Sequence, residues 1–193
     1  DELENFVGLV SNAGCEVFII HARKAWLSGL SPRENREIPP LNYPWIYRLK
    51  KEFPSLTIVL NGGITSMSEI NTHLIHLDGV MLGRKAYEDP WFLAKVDSLL
   101  FKKTSSRKTR TEIIEKMIPY IKEEVSNGEK LNHITRHLVG LYKGEPGGRK
   151  FRRYLADYAH SKDADYKTLV EASVIAQKTL TNSPRHIRNP SIC

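Results

Sequence analysis

Two short glycine-bearing segments carry the most readily named chemistry in this sequence. Asn61-Gly62-Gly63 follows the apolar run Thr57 to Leu60, and Gly83-Arg84 follows Gly79-Val-Met-Leu82. Glycine tolerates positive φ and lets the main chain approach an anion closely, so amide N–H groups at such turns can cradle a phosphate. Arg84 would add a fixed positive charge. Neither turn is specific alone, since Asn-Gly is a common turn and Gly-Arg means little by itself. Their recurrence after consecutive apolar runs favours a phosphate grip over plain turn chemistry. A third run ends in His21-Ala-Arg-Lys24. A histidine there can hydrogen-bond a ring carbonyl or nitrogen, and Arg23 and Lys24 could favour an anionic ligand or a hydride acceptor. The bland alternative is an imidazole satisfied by a neighbouring carbonyl.

The remaining candidates are mostly cationic. Arg33 and Arg36 lie three apart in the segment from Trp26 to Asn42, which is long for a connector and suits a lid or binding loop. Arg149 and Arg152, also three apart, share one face of an expected helix and suit phosphate oxygens, with a solvated face as the alternative. His133, Arg136 and His137 crowd together in H-I-T-R-H. Charge points the same way: residues 102 to 153 hold 14 Lys and Arg against 6 Asp and Glu, whereas the remainder holds 15 against 16. All of the +7 net charge thus comes from one stretch, which fits a polyanionic partner as well as a solvated face. Cys15 and Cys193 are the only cysteines, with neither metal-ligand spacing nor a disulfide framework. A reducing, intracellular setting is expected, cytoplasmic or organellar, and no metal site.

The elements that must position these residues fall into two halves. Up to about residue 100 strands alternate with helices: strand Glu16 to His21, helix Tyr43 to Phe53, strand Thr57 to Leu60, helix Ser66 to Ile75, strand Gly79 to Leu82, and a helix from Asp89 to Phe101. Near-continuous apolar strands separated by helices predict a parallel sheet covered on both faces, with ligands at the carboxyl ends of the strands. Leu3, Phe6, Val7 and Val10 have helical spacing from the first residues onward, so a segment upstream is expected. Residues 102–110 read as a polar linker. Beyond them the signals are helical: Ile113, Ile114, Met117 and Ile121 in one helix ending near Asn127-Gly128, His133 to Leu141 in a second, then Arg149 to His160 and Ala164 to Leu180. Residues 182–193 read as a disordered tail.

The segment F-I-I-H-A-R-K-A-W-L-S-G-L-S-P-R-E-N-R-E-I-P-P-L, with L-N-G-G-I, D-G-V-M-L-G-R-K-A-Y, H-I-T-R-H and G-G-R-K-F-R-R-Y-L, resembles the tRNA-dihydrouridine synthases, and within them the A subfamily. The likeness runs over nearly the whole chain up to residue 180. It implies the C-terminal part of an FMN-bearing TIM (β/α)8 barrel, of about three strands, in residues 1–101, followed by a helical tRNA-binding domain in residues 111–181. The activity implied is NADPH-dependent reduction of a D-loop uridine, at about position 20 of the tRNA, to 5,6-dihydrouridine. His21 resembles the family histidine that touches the isoalloxazine. Asn61, Gly62 and Gly63 resemble one flavin-phosphate loop, and Gly83 with Arg84 the next. Arg33, Arg36, Arg149 and Arg152 resemble the tRNA-orienting residues of the subfamily.

The sequence departs from that family in one informative respect. The family's general acid is a cysteine from the first half of the barrel, and neither Cys15 nor Cys193 stands in its motif. Cys15 precedes a strand, at the end away from the expected site, and reads as a small apolar filler. The expectation is therefore a chain that lacks the catalytic cysteine, needs an N-terminal barrel half as partner, in cis or as a separate chain, and is inactive alone. Two other readings share some of these features: an FMN-dependent barrel oxidoreductase of a small molecule, and a noncatalytic RNA-binding remnant.

Overall fold

The computed structural model describes residues 2–26, 28–100 and 109–181. Most of the expected linker and all of the expected tail lie outside those residues. The chain divides into two compact units, residues 1–83 and 84–193.

The first unit is an α/β layer. Helix α1 (Glu2–Asn12) carries Glu2 and Glu4 in its first turn, where negative charge favours the helix dipole. Strand β1 (Val17–His21), helix α2 (Tyr43–Glu52), strand β2 (Thr57–Asn61), helix α3 (Met67–Leu74) and strand β3 (Gly79–Met81) follow. Asn42 starts α2 by accepting the Trp45 amide hydrogen at 3.3 Å, and Pro44 fits the first turn, where its missing N–H costs nothing. Ser66 starts α3 through a capping box with Glu69. The strands form one parallel sheet in the order β1-β2-β3. Register aligns Val17 with Thr57, Ile19 with Val59 and His21 with Asn61, then Val59 with Gly79 and Asn61 with Met81.

Because side chains alternate along a strand, that register sorts them into two faces. Phe18, Ile20, Ile58 and Leu60 are buried, as are Val7 of α1, Ile46 and Leu49 of α2 and Ile70 of α3. The other face corrects the expectation of a sheet covered on both sides: Val17 and Ile19 are 57% and 59% exposed, and His21 and Met81 are exposed with them. The apolar run Val-Phe-Ile-Ile conceals this asymmetry, because residues of one character occupy both faces.

Every described element after Gly83 is helical: α4 (Arg84–Glu88), a 3-10 turn (Pro90–Phe92), α5 (Leu93–Leu99), α6 (Arg110–Ser126), α7 (Leu131–Thr135), α8 (Gly148–Tyr158) and α9 (Tyr166–Thr181). Their core includes Ile114 and Ile121, Phe151, Leu155 and Ala159, and Leu169, Ala172 and Ala176, each set at helical spacing. Tyr142 and Ser173 satisfy each other's buried hydroxyls at 2.7 Å. Two expected helices come out shorter. The one set at Asp89 to Phe101 is interrupted, since Pro90 lacks an amide hydrogen and starts a separate turn. The one set at His133 to Leu141 ends at Thr135 and continues as tight turns, with Leu138 bonded back to Thr135 and Leu141 to Leu138. Gly140 there lies so close to the Glu88 carbonyl that no Cβ would fit. No helix among the described residues is long and apolar enough to cross a membrane.

Candidate functional site

The candidate site lies along the carboxyl ends of the three strands. His21, Asn61 and Met81 stand in register across the sheet, on its open face, with Ile19, Val59 and Gly79 forming the row beneath. The loop Gly62-Gly63 leaves β2 at this edge, and Leu82-Gly83 leaves the neighbouring β3 at the same edge. The two glycine-bearing turns are therefore neighbours, as phosphate binding at strand ends requires. Arg84, next in the chain, is the first residue of α4 in the second unit.

Gly62 and Gly63 both have positive φ, at +118° and +75°. Among the described residues no acceptor meets their amide hydrogens. The amides that open α3 are in a different condition. Glu69 accepts from the amides of Thr65 and Ser66, both at 2.8 Å, and from their hydroxyls at 3.0 and 2.9 Å. Those bonds, led by the Thr65 amide, hold its carboxyl below the usual carboxylate range. The glycine amides at this edge thus meet no described acceptor, whereas the helix start is already occupied by its own carboxylate.

His21 is oriented by its own backbone: Nδ1 accepts the Arg23 amide hydrogen at 3.2 Å, so the ring hydrogen sits on Nε2. A Cβ built on Gly62 would lie 3.1 Å from His21 Cε1 and 3.2 Å from Leu41 Cδ2. Glycine therefore keeps a close seat beside the imidazole. Leu41 and Tyr43 reach the site because the loop from Trp26 to Asn42 returns to the strand it left. Arg23 bridges to Leu41, and Asn42 donates its amide hydrogen to Ala22 at 2.8 Å. Tyr43 then donates its hydroxyl to the Gly62 carbonyl at 3.1 Å. Burial and the nearby Glu69 raise the Tyr43 pKa, keeping the hydroxyl a donor.

Arg23 is turned away from the ligand role suggested for it. Its guanidinium donates to the Glu37 carbonyl at 2.8 Å and to that of Pro39, tying the loop down from inside. Lys24 is exposed. Within the loop, Asn35 exchanges two hydrogen bonds with the backbone of Trp26, at 2.8 and 2.9 Å. This closes the loop on a 3-10 turn, Glu34–Arg36, that Arg33 begins. Arg33 and Arg36 are both exposed, at the three-residue spacing that eclipses in a 3-10 turn.

In the second unit Arg149 and Arg152 are exposed on α8, and among the described residues neither meets a carboxylate. The helix start that carries them is built by close packing. A Cβ on Gly147 would strike the backbone of Ala176 in α9, and one on Gly148 the carbonyl of Tyr142. His133 is engaged by Glu129, and His137 lies between Tyr87, at 2.8 Å, and the Nε of Arg136, at 3.1 Å. Cys15 sits before β1, at the end of the sheet opposite His21, and is partly exposed, with its thiol 3.4 Å from the Val17 carbonyl. Cys193 lies outside the described residues. Among the described residues no group of three His, Cys, Asp or Glu side chains could hold a metal ion.

Sequence reasoning missed Tyr43 and Leu41. Asn42-Tyr43-Pro44 announced the helix start but not that its tyrosine would face the glycine loop.

Comparison with known proteins gives these positions a setting. Residues 1–179 match the family model described as dihydrouridine synthase (Dus). The chain is 53% identical over 171 residues to the tRNA-dihydrouridine(20/20a) synthase of Vibrio vulnificus, covering 88% of this chain and 52% of that protein. It is 50% identical over 181 residues to the protein of the same name from Shewanella oneidensis, covering 91% and 54%. For that of Escherichia coli K12 the identity is 52% over 176 residues, covering 90% and 51%. The chain spans about half the length of the curated relatives it matches. With a family model matching nearly all of its length, the chain belongs to the dihydrouridine synthase family.

Proposed function

We propose that this chain is the flavin-phosphate-binding and part of the tRNA-binding portion of a tRNA-dihydrouridine synthase of the A subfamily. The whole enzyme would reduce a D-loop uridine, at about position 20, to 5,6-dihydrouridine with FMN and NADPH, on a base flipped out of the folded tRNA. In this reading residues 1–101 are the C-terminal strands and helices of a (β/α)8 barrel, whose interior is the open sheet face. Residues 111–181 are the helical domain that holds tRNA.

One observation carries the proposal: the pairing register sets the Gly62-Gly63 and Gly83 turns side by side at the carboxyl edge, with His21 in the same row. The cradle fits a phosphomonoester, since the glycine amides meet no other described acceptor and a side chain at Gly62 would fill the space beside His21. Asn61, Gly62, Gly63 and Gly83 would hold the FMN phosphate. His21 would face the isoalloxazine edge. The chemistry FMN would supply here, when bound and reduced by NADPH, is hydride donation to uridine C6. Ile19 and Val59 would keep water from the face below. Arg33, Arg36, Arg149 and Arg152 would bind tRNA phosphates. Proton donation to uridine C5 falls to none of these residues, since Cys15 stands at the far end of β1.

Titrating FMN into the purified chain tests the proposal, followed by incubation with tRNA and NADPH. The expected result is FMN binding that inorganic phosphate competes away, with no dihydrouridine formed by the chain alone. Retained tRNA binding without any FMN binding, even when the N-terminal half of a relative is supplied, would instead identify a noncatalytic RNA-binding protein.

A further inference from the structure

The Gly62-Gly63 peptide has two glycines at its ends and could face either way, because neither residue has a Cβ to forbid a flip. Its direction matters, since only one orientation turns the Gly63 amide hydrogen toward a ligand. We propose that Tyr43 is the positioning residue that selects this orientation, and the inference rests on the flavin-phosphate reading given above. In a trans peptide the carbonyl and the following amide point in opposite directions, and the described peptides contain no cis bond. Tyr43 donates to the Gly62 carbonyl at 3.1 Å, so the Gly63 amide hydrogen points away from the tyrosine. A Cβ on Gly63 would come within 2.9 Å of the Tyr43 hydroxyl, which places that hydroxyl directly behind the turn.

Tyr43 is itself held in place. Its ring packs on His73 of α3 with centroids 4.4 Å apart. His73 is buried, and its Nδ1 lies 2.7 Å from the Tyr47 hydroxyl. Tyr47 in turn stacks on His76 at 4.4 Å. A row of aromatic side chains from α2, α3 and the turn after α3 thus backs the glycine turn and fixes the Tyr43 hydroxyl that touches it. The Tyr43 hydroxyl donates directly to the Gly62 carbonyl, so the selection is made by a neutral hydrogen bond.

The test compares FMN with riboflavin, which lacks the phosphate, on the wild-type chain and Tyr43→Phe. Losing one neutral hydrogen bond is expected to weaken FMN binding about three- to tenfold while leaving riboflavin binding unchanged. In wild type, inorganic phosphate is expected to shift the Gly63 amide proton resonance downfield, and in Tyr43→Phe to shift it less. Equal weakening of FMN and riboflavin would mark a merely structural role and overturn the inference, as would equal FMN affinity in both proteins. A Gly63 amide in wild type that ignores phosphate would overturn it even if the variant failed to fold. No FMN binding by the wild-type chain, even with the N-terminal half of a relative supplied, would remove the flavin reading, and this inference with it.

Discussion

Gly62→Ala tests the cradle through a single added methyl group. At φ +118° Gly62 lies beyond the left-handed region other residues use, so a side chain there costs about 1–3 kcal/mol in backbone strain. The new Cβ would also lie 3.1 Å from His21 Cε1 and 3.2 Å from Leu41 Cδ2. Relaxed carbon contacts lie at about 3.5–4.0 Å. His21 is held through Nδ1, so the imidazole yields less easily than the terminal Leu41 methyl. Gly14 supplies the reference: its φ is +102° and a Cβ there would meet nothing within 4 Å. Gly14→Ala therefore reports backbone strain alone, and Gly62→Ala should lose about 1–3 kcal/mol more by crowding. In a unit of this size each kcal/mol lowers Tm by about 4–8 °C. Thermal unfolding followed by circular dichroism measures the difference, and FMN titration should show weakened binding for Gly62→Ala only. Equal Tm losses and equal FMN affinities in the two variants would refute the reasoning.

Two further outcomes follow from the same geometry. Arg149→Ala and Arg152→Ala should each leave stability within about 0.5 kcal/mol of wild type, both being exposed. Each should weaken tRNA binding and flatten its salt dependence by nearly one unit of logarithmic slope, about 0.7–0.9 per lost phosphate contact; filter binding across a salt series decides this, and unchanged slopes would count against the contact. Burial holds the His73 ring below its ordinary 6.5, with Glu69 opposing and His76 assisting. The unfolded ring takes up a proton first on acidification, so stability should fall as pH drops below 6.5 and level off below the depressed native value. Urea unfolding across that range should show the fall in wild type and a flatter profile in His73→Gln; identical profiles would contradict the assignment.

Much of this arrangement is legible in the residues themselves. The strands end at His21, Asn61 and Met81, within one residue of the expected His21, Leu60 and Leu82, because β-forming runs give way near turn residues, and α3 opens just past Ser66, where its helix is expected to begin. The glycine turns are likewise evident, since their neighbouring strands follow each other in the chain. Less legible is whatever depends on contacts far apart in sequence. H-I-T-R-H continues with helical spacing, yet α7 stops at Thr135, and the tight turns that follow bring Gly140 against the Glu88 carbonyl. Arg23 looks like a ligand cation until the loop carbonyls of Glu37 and Pro39 claim it. Tyr43 enters the site only because the loop doubles back to the end of β1, and no local pattern announces such a return.

The glycine pair at the head of α8 has a consequence for how the basic surface can change over time. Gly147 and Gly148 are fixed by backbones that leave no room for a methyl group, whereas Arg149 and Arg152 project into open solvent. The mounting is rigid and the fittings are exchangeable. Cations on this helix can be swapped, removed or respaced without disturbing the joint beneath, so the charge this surface presents can drift while the architecture stays constant.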